Sequence, residues 1–472
     1  LNPQRLAQHY PHRLWSELQG SASGRLLLTI EHVGPTTAEV PLTFRLSSNL
    51  QGIEVGLPTP LSKAESEARR FFLSGSLPAG PGALIKAGYG DITGTFRLGT
   101  GEDGNPRLDG ANISCGSNRP PAKVSSGFRL EGRLRKMDLA GWSQWFAAYG
   151  MDSTTAEDEL KRPAQRVDLV IDEVLLRKSS FKNVKLGMVR TPNAWETEVE
   201  STHLRGSVRV PVDPRAVPIS ARLELLNLDL EAWDVGGEKA NSVATEPLTQ
   251  PRPAPRHAPG LYLDVEQLYI SGRPFGHLNA KLMPDADGLR LRQLKLDGPL
   301  VTLQGSGQWS GTAADQFVRL TLDGQSPDLG KLTRELQFNT AIERADMNMQ
   351  ADLRWDAPPL DVNLDNLQGT LEFHVGKGRV MGVNPGVGRL FGLLNLGALQ
   401  RRLTLDFTDL FHEGYSFDRI DGRFSIGGGE AQAEAVTIVG PAADLAITGR
   451  AGLLTQDYDQ IVTVTPEIST TL

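Results

Sequence analysis

Histidine, cysteine and carboxylate side chains are the groups of this chain that could hold a metal ion, and His9 and His12 have the most suggestive spacing. Histidines three residues apart lie on one side of a helix and can ligate one metal. Pro11 lies between them, however, and no nearby carboxylate or cysteine completes a site. Cys115 has no second cysteine with which to form an intrachain disulfide. We therefore predict no metal site and no cofactor.

Two glycine-containing segments have some features of ligand-binding loops. Gly386, Gly388 and Gly392 lack the Gly-Lys-Ser/Thr sequence of a phosphate loop and the spacing of a dinucleotide fingerprint. Residues 101–106 offer carboxylates to calcium, but their composition is typical of an ordinary turn. The remaining six histidines are isolated, and no Ser-His-Asp or Cys-His order clusters. We predict that the chain is not an enzyme.

Composition narrows the class of protein further. The chain has 472 residues with a net charge of −7, and no stretch reaches the basic density that nucleic acid requires. Hydrophobic residues make up 39%, which is low for so large a core, while 50 glycines and 30 prolines suit many turns. The chain begins with Leu1 rather than methionine and stops within an apparent strand. We expect it to be an excised piece of a longer protein.

The most informative pattern is an alternation of apolar residues that recurs 94 residues later. Residues 167–171 alternate, which places their apolar side chains on one face of a β-strand. The polar pair Asp172 and Glu173 then shifts the phase, as a β-bulge does. The copy at 261–265 is followed by a polar pair at the same place. A shared phase break indicates an internally repeated β structure.

Other segments also repeat. The strand pattern at 289–307 reappears 142 residues later, with Gly298 and Pro299 matched by Gly440 and Pro441. Asp138, Asp229 and Asp328 each follow an alternating strand and precede an apolar i, i+3 pair. An aspartate in that position caps a helix, so each repeat is predicted to end in a short helix. Stacked repeats are usually elongated.

We therefore predict a mostly β fold. It would be an elongated, repeat-built, mainly antiparallel sheet with a few short helices at its edges. The predicted segments are a β segment at 1–150, a β repeat at 151–237, a mobile proline-rich insert at 238–260, a β repeat at 261–340 and a carboxy-terminal β segment at 341–472. All five would belong to one continuous body.

The apolar strand positions have two interpretations. They form the closed core of a sandwich or barrel, or they line an open groove on a single curled sheet. An exposed apolar groove would need apolar ligands, and acyl chains suit a long channel. Alternation alone does not choose between these. The predicted inward-facing, groove-lining residues are Ile171, Val174, Leu176, Phe181, Val265, Leu268, Ile270 and Phe275.

The most apolar run of the chain lies at 390–399. It is far shorter than the roughly 20 residues that cross a bilayer. We predict a helix at 385–399 that covers part of the groove or touches a membrane surface. The residues predicted to make this contact are Leu390, Phe391, Leu393 and Leu394.

Several segments together resemble one family. Residues 48–63 read SNLQGIEVGLPTPLSK, residues 388–403 read GRLFGLLNLGALQRRL, and residues 405–418 read LDFTDLFHEGYSFD. With the strand-ending Asp-Leu-x-x-Trp helices and the repeat above, they resemble the AsmA-like superfamily of Gram-negative envelope proteins, and most closely its YhdP-type branch. The resemblance covers essentially the whole chain, as the carboxy-terminal part of a longer member.

The resemblance implies a bridge-like lipid transporter, in which one long β-sheet folds lengthwise into a hydrophobic groove. Phospholipid acyl chains would be its ligands, and the full-length protein would join the inner and outer membranes. The chain would be a monomeric periplasmic portion of an inner-membrane-anchored protein. A scaffold that assists outer-membrane protein assembly is an alternative. A glycan-active β-solenoid enzyme is another, and it would need a carboxylate cluster on one exposed face.

Overall fold

Strands dominate the protein. The computed structural model describes residues 1–9, 12–30, 42–77, 82–100, 106–124, 127–149, 165–176, 179–228, 254–336, 342–359, 361–380, 415–441, 443–455 and 457–466. The chain divides into two compact units, an amino-terminal unit at Leu1–Asp213 and a carboxy-terminal unit at Pro214–Leu472.

The amino-terminal unit begins with short helical segments and then becomes a sheet. Its helices are α1 (Pro3–His9), a 3₁₀ helix (Arg13–Glu17) and α2 (Leu139–Tyr149). Its strands are β1 (Leu18–Gly20), β2 (Arg25–Ile30), β3 (Leu42–Ser48), β4 (Ile53–Val55), β5 (Phe71–Leu77), β6 (Leu84–Tyr89), β7 (Ile92–Thr100), β8 (Pro106–Cys115), β9 (Gly127–Asp138), β10 (Gln165–Leu176), β11 (Ser179–Arg190), β12 (Ala194–Glu200) and β13 (Leu204–Pro211).

The large sheet of this unit follows the chain. Each strand from β2 to β13 pairs with the next, apart from β4, which pairs with β1 in a separate small sheet. All the pairings are antiparallel except β8 with β9 and β9 with β10. A parallel pair requires the chain to return to the end at which the first strand began, so it needs a long connection. Helix α2 lies in the connection from β9 to β10.

The carboxy-terminal unit repeats this plan. Its helices are a 3₁₀ helix (Pro255–His257) and α3 (Leu329–Glu335). Its strands are β14 (Ile219–Leu228), β15 (Leu261–Ile270), β16 (Arg273–Asp285), β17 (Gly288–Asp297), β18 (Thr302–Gly311), β19 (Gln316–Ser326), β20 (Ile342–Glu343), β21 (Met347–Trp355), β22 (Gln368–Val375), β23 (Gly378–Val380), β24 (Tyr415–Phe417), β25 (Arg419–Gly427), β26 (Glu430–Val439), β27 (Ala443–Gly452) and β28 (Tyr458–Pro466).

Sequential pairing again builds the large sheet. β14 pairs with β15 in parallel, and the antiparallel series then runs through β19, β21, β22 and β25 to β28. Strands β20, β23 and β24 form a separate three-stranded sheet. Within the described residues of each unit, no ladder joins the last strand of the series back to its first. The predicted fold class, mostly β and mainly antiparallel with a few short helices, is confirmed.

The repeat with the 142-residue offset is confirmed in detail. In the first copy the β17–β18 register shifts between Leu291 and Leu294. In the second the β26–β27 register shifts between Ala433 and Val436, the equivalent places. A further pair of shifts, at Lys281 in β16 and Arg423 in β25, has the same offset. Bulges at matching positions show that the two segments share one strand geometry.

In the repeat with the 94-residue offset, the predicted change in which residues face the core is confirmed. The pairing with the next strand, however, differs between the two copies. Ile171 and Val174 are both buried although three residues apart, so the buried face changes phase at the predicted place. A register shift accompanies this change only in the second copy, between Val265 and Leu268. In the first copy β10 and β11 keep one register on both sides of Asp172, so the predicted bulge there is wrong.

Two of the three predicted helix caps lie within the described residues, and both are present. Asp138 Oδ1 accepts from the Gly141 amide at 2.8 Å. Asp328 Oδ1 accepts from the Lys331 amide at 2.9 Å. Each satisfies an amide that has no partner in the first helical turn. Asp229 lies outside the described residues, and so do residues 238–253 of the predicted proline-rich insert. The predicted segment boundaries remain predictions.

Candidate functional site

One face of each large sheet is apolar from strand to strand. In the amino-terminal unit a single row of paired residues crosses all eleven strands of the series from β2 to β13. Its members are Leu26, Leu46, Leu73, Ala87, Gly94, Ile113, Leu130, Val167, Met188, Thr197 and Val208. No member of this row is charged. Alternation within each strand and pairing between strands combine to place these side chains on one surface.

The carboxy-terminal unit has a matching row from β17 to β28. Its members are Leu296, Leu303, Gly324, Met349, Phe373, Gly422, Val436, Ile447 and Val462. The adjacent row, which faces the other way, is polar for most of its length. It contains Lys295, Gln304, Asp323, Gln350, Glu372, Arg423 and Ala435. We call the first surface of each unit its apolar face and the second its polar face.

Charged side chains of the polar face pair with each other across strands. Examples are Arg133 with Asp172 at 2.6 Å and Arg423 with Glu372 at 2.8 Å. Exposed pairs of this kind contribute about 0–1 kcal/mol each, so they add little stability. They do keep this face compatible with water.

The apolar face is covered to different degrees along the sheet. Ile171 is 1% exposed and Val174 is 8% exposed, in a cluster with side chains of β7 to β12. At the first strand, β2, the same face is open, since Leu26, Leu28 and Ile30 are 58%, 53% and 70% exposed. An exposed run of leucine and isoleucine on a strand is a surface suited to apolar ligands.

The structure brings together most of the predicted lining residues. Ile171, Val174 and Phe181 belong to one cluster, whereas Leu176, at the end of β10, is 41% exposed. The residues of the second copy are placed in the same way. Val265, Leu268 and Phe275 are buried, and Ile270 is partly exposed at the end of β15. The buried members are covered by neighbouring side chains, and their contact with a ligand remains a prediction.

Sequence reasoning did not single out the open part of the face or its edge. Leu28 and Phe44 pair across β2 and β3 on the apolar face, and both are at least partly exposed. Arg190 pairs with Trp195 at the other end of the series, also on this face. Val184, Leu186 and Met188 alternate along β11, and the same alternation continued to position 190 could have revealed an arginine on the apolar face.

At one end of its strands, the amino-terminal sheet is covered by another segment of the same chain. The segment between β3 and β5 meets helix α2, where the Thr59 carbonyl accepts from the Asp138 amide at 3.1 Å and from Trp142 Nε1 at 2.9 Å. The Tyr89 hydroxyl donates to the Leu61 carbonyl of the same segment at 2.8 Å. The tight turn from β11 to β12, beside Arg190, lies at the other end of these strands.

The histidine and cysteine side chains that could take part in chemistry make contacts with nearby parts of the chain or are buried. His9 Nδ1 lies 3.1 Å from the Arg5 carbonyl oxygen, and His12 Nδ1 accepts from the Leu14 amide at 3.1 Å. The Cys115 thiol is 5% exposed. Its burial, with a smaller contribution from Asp91, raises its pKa to about 11. The described part of the chain contains no group of three or more histidine, cysteine or carboxylate residues placed to hold a metal ion.

The predicted helix at 385–399, with Leu390, Phe391, Leu393 and Leu394, lies outside the described residues. Among the helices that the structure does describe, none combines the length and the apolar character needed to cross a bilayer.

Comparison with known proteins assigns the chain to a family. The model of the YhdP protein family matches residues 1–472, so the chain belongs to that family. The intermembrane phospholipid transporter YhdP of Escherichia coli (strain K12) is 23% identical over 450 residues, which cover 93% of this chain and 34% of that protein. The chain therefore spans about a third of the length of this relative. No solved structure matches the chain significantly.

Proposed function

We propose that the chain binds phospholipid acyl chains on its apolar faces and forms part of a protein that carries phospholipid between the inner and outer membranes of a Gram-negative envelope. The observation that carries this proposal is the uncharged row that crosses all eleven strands of the amino-terminal series. Acyl chains need a continuous apolar surface and make no directional bonds, which such a row supplies. The transporter from Escherichia coli, similar over most of this chain, supports the same function.

The proposal extends to location and assembly. We place the chain in the periplasm as a monomeric portion of an inner-membrane-anchored protein. Its role is binding and passage rather than catalysis. The opposed faces suit this role, because the polar face with its ion pairs can meet water while the apolar face shields lipid.

Lipid extraction followed by mass analysis tests the binding step. Purified chain is expected to carry phospholipid, and Leu28→Glu should lower the bound amount by roughly threefold or more, because a carboxylate on this face must lose water when lipid binds. Leu28 is already 53% exposed, so the substitution should not unfold the sheet. The matched control is Thr29→Glu, whose side chain leaves the same strand on the other face.

Two outcomes would count against the proposal. Equal loss of lipid from Leu28→Glu and Thr29→Glu would mean that the apolar face is not the binding surface. Absence of phospholipid from the chain, combined with binding of unfolded outer-membrane proteins, would favour an assembly scaffold instead.

A further inference from the structure

Large and small residues alternate across the apolar face of the carboxy-terminal unit. One row of paired residues there contains Leu303, Gly324, Met349, Phe373, Gly422 and Val436. The next row on the same face contains Leu294, Gly305, Leu322, Ala351, Leu371, Phe424 and Ala433. Every large side chain in these two rows therefore has a glycine or an alanine beside it on a neighbouring strand.

Two of the large side chains lie over the neighbouring glycine. A methyl group added at Gly422 would lie 2.3 Å from Phe373 Cζ, and one added at Gly324 would lie 2.8 Å from Met349 Cγ. Side chains of a strand usually stand nearly perpendicular to the sheet. Phe373 and Met349 instead lean across the sheet into the space that the missing side chains leave. The surface of the apolar face is therefore low along this row.

The ring of Phe373 is held in this position from both sides. It stacks on the ring of Phe424, with centroids 5.6 Å apart and planes inclined by 15°. Gly422 lies between Ile420 and Phe424 on the same face of β25, and these two residues are 0% and 2% exposed. Phe373 and Met349 remain partly exposed. The buried neighbours thus fix the two side chains while part of each stays accessible.

We propose that the low part of the apolar face from Gly324 to Gly422 is a trough for one acyl chain of a phospholipid. The two glycines lie three strand spacings apart, a distance of about 14 Å. Met349 and Phe373 form the floor of the trough, since a flexible thioether and an aromatic ring both pack well against methylene groups. Glycine within a strand often marks a place where a ligand approaches closely. This inference rests on the proposed function and specifies where an acyl chain lies.

Gly422→Ala should raise the floor of the trough. The backbone of Gly422 is not in the left-handed region, so alanine is compatible with it. The new methyl group would displace the ring of Phe373, and Ile420 and Phe424 leave no room at either side. The ring must then turn upward into the trough. Gly427→Ala is the matched control, because it lies on the same strand and nothing lies within 4 Å of the added methyl group.

Photolabelling of the full chain tests the trough. The chain is incubated with vesicles of phosphatidylglycerol, part of which carries a diazirine in its acyl chain, and mass spectrometry maps the labelled tryptic peptides after illumination. Peptide 345–354 contains Met349, and peptide 26–45 contains Leu28 of the amino-terminal unit. Gly422→Ala should lower labelling of 345–354 by about tenfold, because losing contact with about two methylene groups changes affinity by roughly that factor. Labelling of 26–45 should stay the same, and Gly427→Ala should match the unaltered chain in both peptides.

The results separate this inference from the proposed function. Equal labelling of 345–354 in the unaltered chain and in folded Gly422→Ala would overturn the trough and leave lipid binding intact. Labelling of 26–45 without any labelling of 345–354 in the unaltered chain would also overturn it. Absence of label from both peptides of the unaltered chain would overturn the proposed function itself.

A second measurement uses the unaltered chain, in case Gly422→Ala disturbs the sheet. Hydrogen peroxide oxidises accessible methionines, and tandem mass spectrometry reports the rate at each position. Met283, which pairs with Arg290 on the polar face of the same unit, is partly exposed like Met349 and serves as the reference. Bound phosphatidylglycerol should slow oxidation of Met349 severalfold and leave that of Met283 unchanged. The same rate at Met349 with and without lipid would overturn the trough without any substitution.

Discussion

At the scale of single residues, Lys63 is a buried cation. It lies in the segment between β3 and β5 that covers one end of the strands of the amino-terminal sheet. The residue is 3% exposed, and Nζ donates to the carbonyl oxygens of Ile53 at 2.5 Å and Ala64 at 2.8 Å. Burial is the main reason that its pKa is lowered, and Glu67 acts in the opposite direction. The ammonium thus ties β4 to the chain that follows it.

Lys63→Met should destabilise the amino-terminal unit. Methionine has a similar shape but no donor, so two carbonyl oxygens would lose their partner, at a cost of about 1–3 kcal/mol. Urea denaturation measures this free energy of unfolding. Lys86→Met, at an exposed position on β6, is the control and should change stability by less than about 0.5 kcal/mol. Equal losses would show that the bonds of Lys63 contribute nothing specific.

Cys115 should make stability depend on alkaline pH. Its pKa is raised from 9.0 to about 11 by burial, so the folded thiol keeps its proton where the unfolded thiol has lost it. The contribution is complete below pH 9.0 and is lost as pH rises towards about 11. Between pH 8.5 and 10.5, the unaltered chain should lose on the order of 1–2 kcal/mol more than Cys115→Ala. Parallel losses in both proteins would contradict the pKa shift.

At the scale of elements, the short helices depend on their caps and on one buried side. Helix α3 buries Leu329 and Leu332, which are 2% and 6% exposed. The Thr333 hydroxyl donates back to the Leu329 carbonyl at 2.8 Å. A helix of seven residues is unstable alone, so packing and capping together must hold it.

Asp328→Ala should cost about 1 kcal/mol, because the Lys331 amide loses its acceptor. Hydrogen exchange of the α3 amides should become faster, and the urea midpoint of the carboxy-terminal unit should fall. Asp323→Ala, at an exposed position on β19, supplies the control. If α3 exchanges at the original rate in Asp328→Ala, the cap has no energetic role.

The proline-rich connection should tolerate shortening. Because β14 and β15 pair in parallel, the chain must return from the end of one to the start of the other, a distance of about 33 Å for ten-residue strands. Deleting 238–253 leaves about 16 residues, and an extended chain of that length spans about 50 Å. The thermal midpoint and lipid content should therefore change little. A large fall in the midpoint would mean that the deleted residues pack on the sheet.

At the scale of the whole molecule, the sequential pairing makes stability local. Strands of each large sheet pair with their immediate neighbours in the series, as in stacked-repeat proteins. The free energy of unfolding of such proteins is approximately a sum of the stability of each repeat and the interactions between neighbouring repeats. A destabilising substitution should therefore loosen only the strands close to it.

Ile438→Ala tests this. Ile438 is fully buried between Ile420 and Leu445, and its truncation should cost about 2–5 kcal/mol. Hydrogen exchange followed by mass spectrometry should show faster exchange in β25 to β27 and no change in β5 to β8. Thr437→Ala, exposed on the same strand, should affect neither region. Uniform acceleration through the chain would instead indicate one cooperative molecule.

Local features of the molecule could be predicted from the sequence because they depend on near neighbours. Alternation defined the strands, the break after Ile171 located the change of phase, and Asp138 and Asp328 marked helix starts. The repeat at an offset of 142 residues correctly implied a shared geometry, and its bulges lie at equivalent positions. All of these follow from backbone periodicity and from hydrogen bonds within a few residues.

Tertiary structure decided what depends on distant parts of the chain. Parallel pairing of β9 with β10 has the same alternation as antiparallel pairing, so the pattern could not distinguish them. Leu28 and Ile171 are both apolar members of alternating strands, yet one is 53% exposed and the other 1%. Their difference arises from which side chains surround each, and that is set by where the strand lies in the series. The placement of Arg190 beside Trp195 on the apolar face likewise depends on the register between two strands.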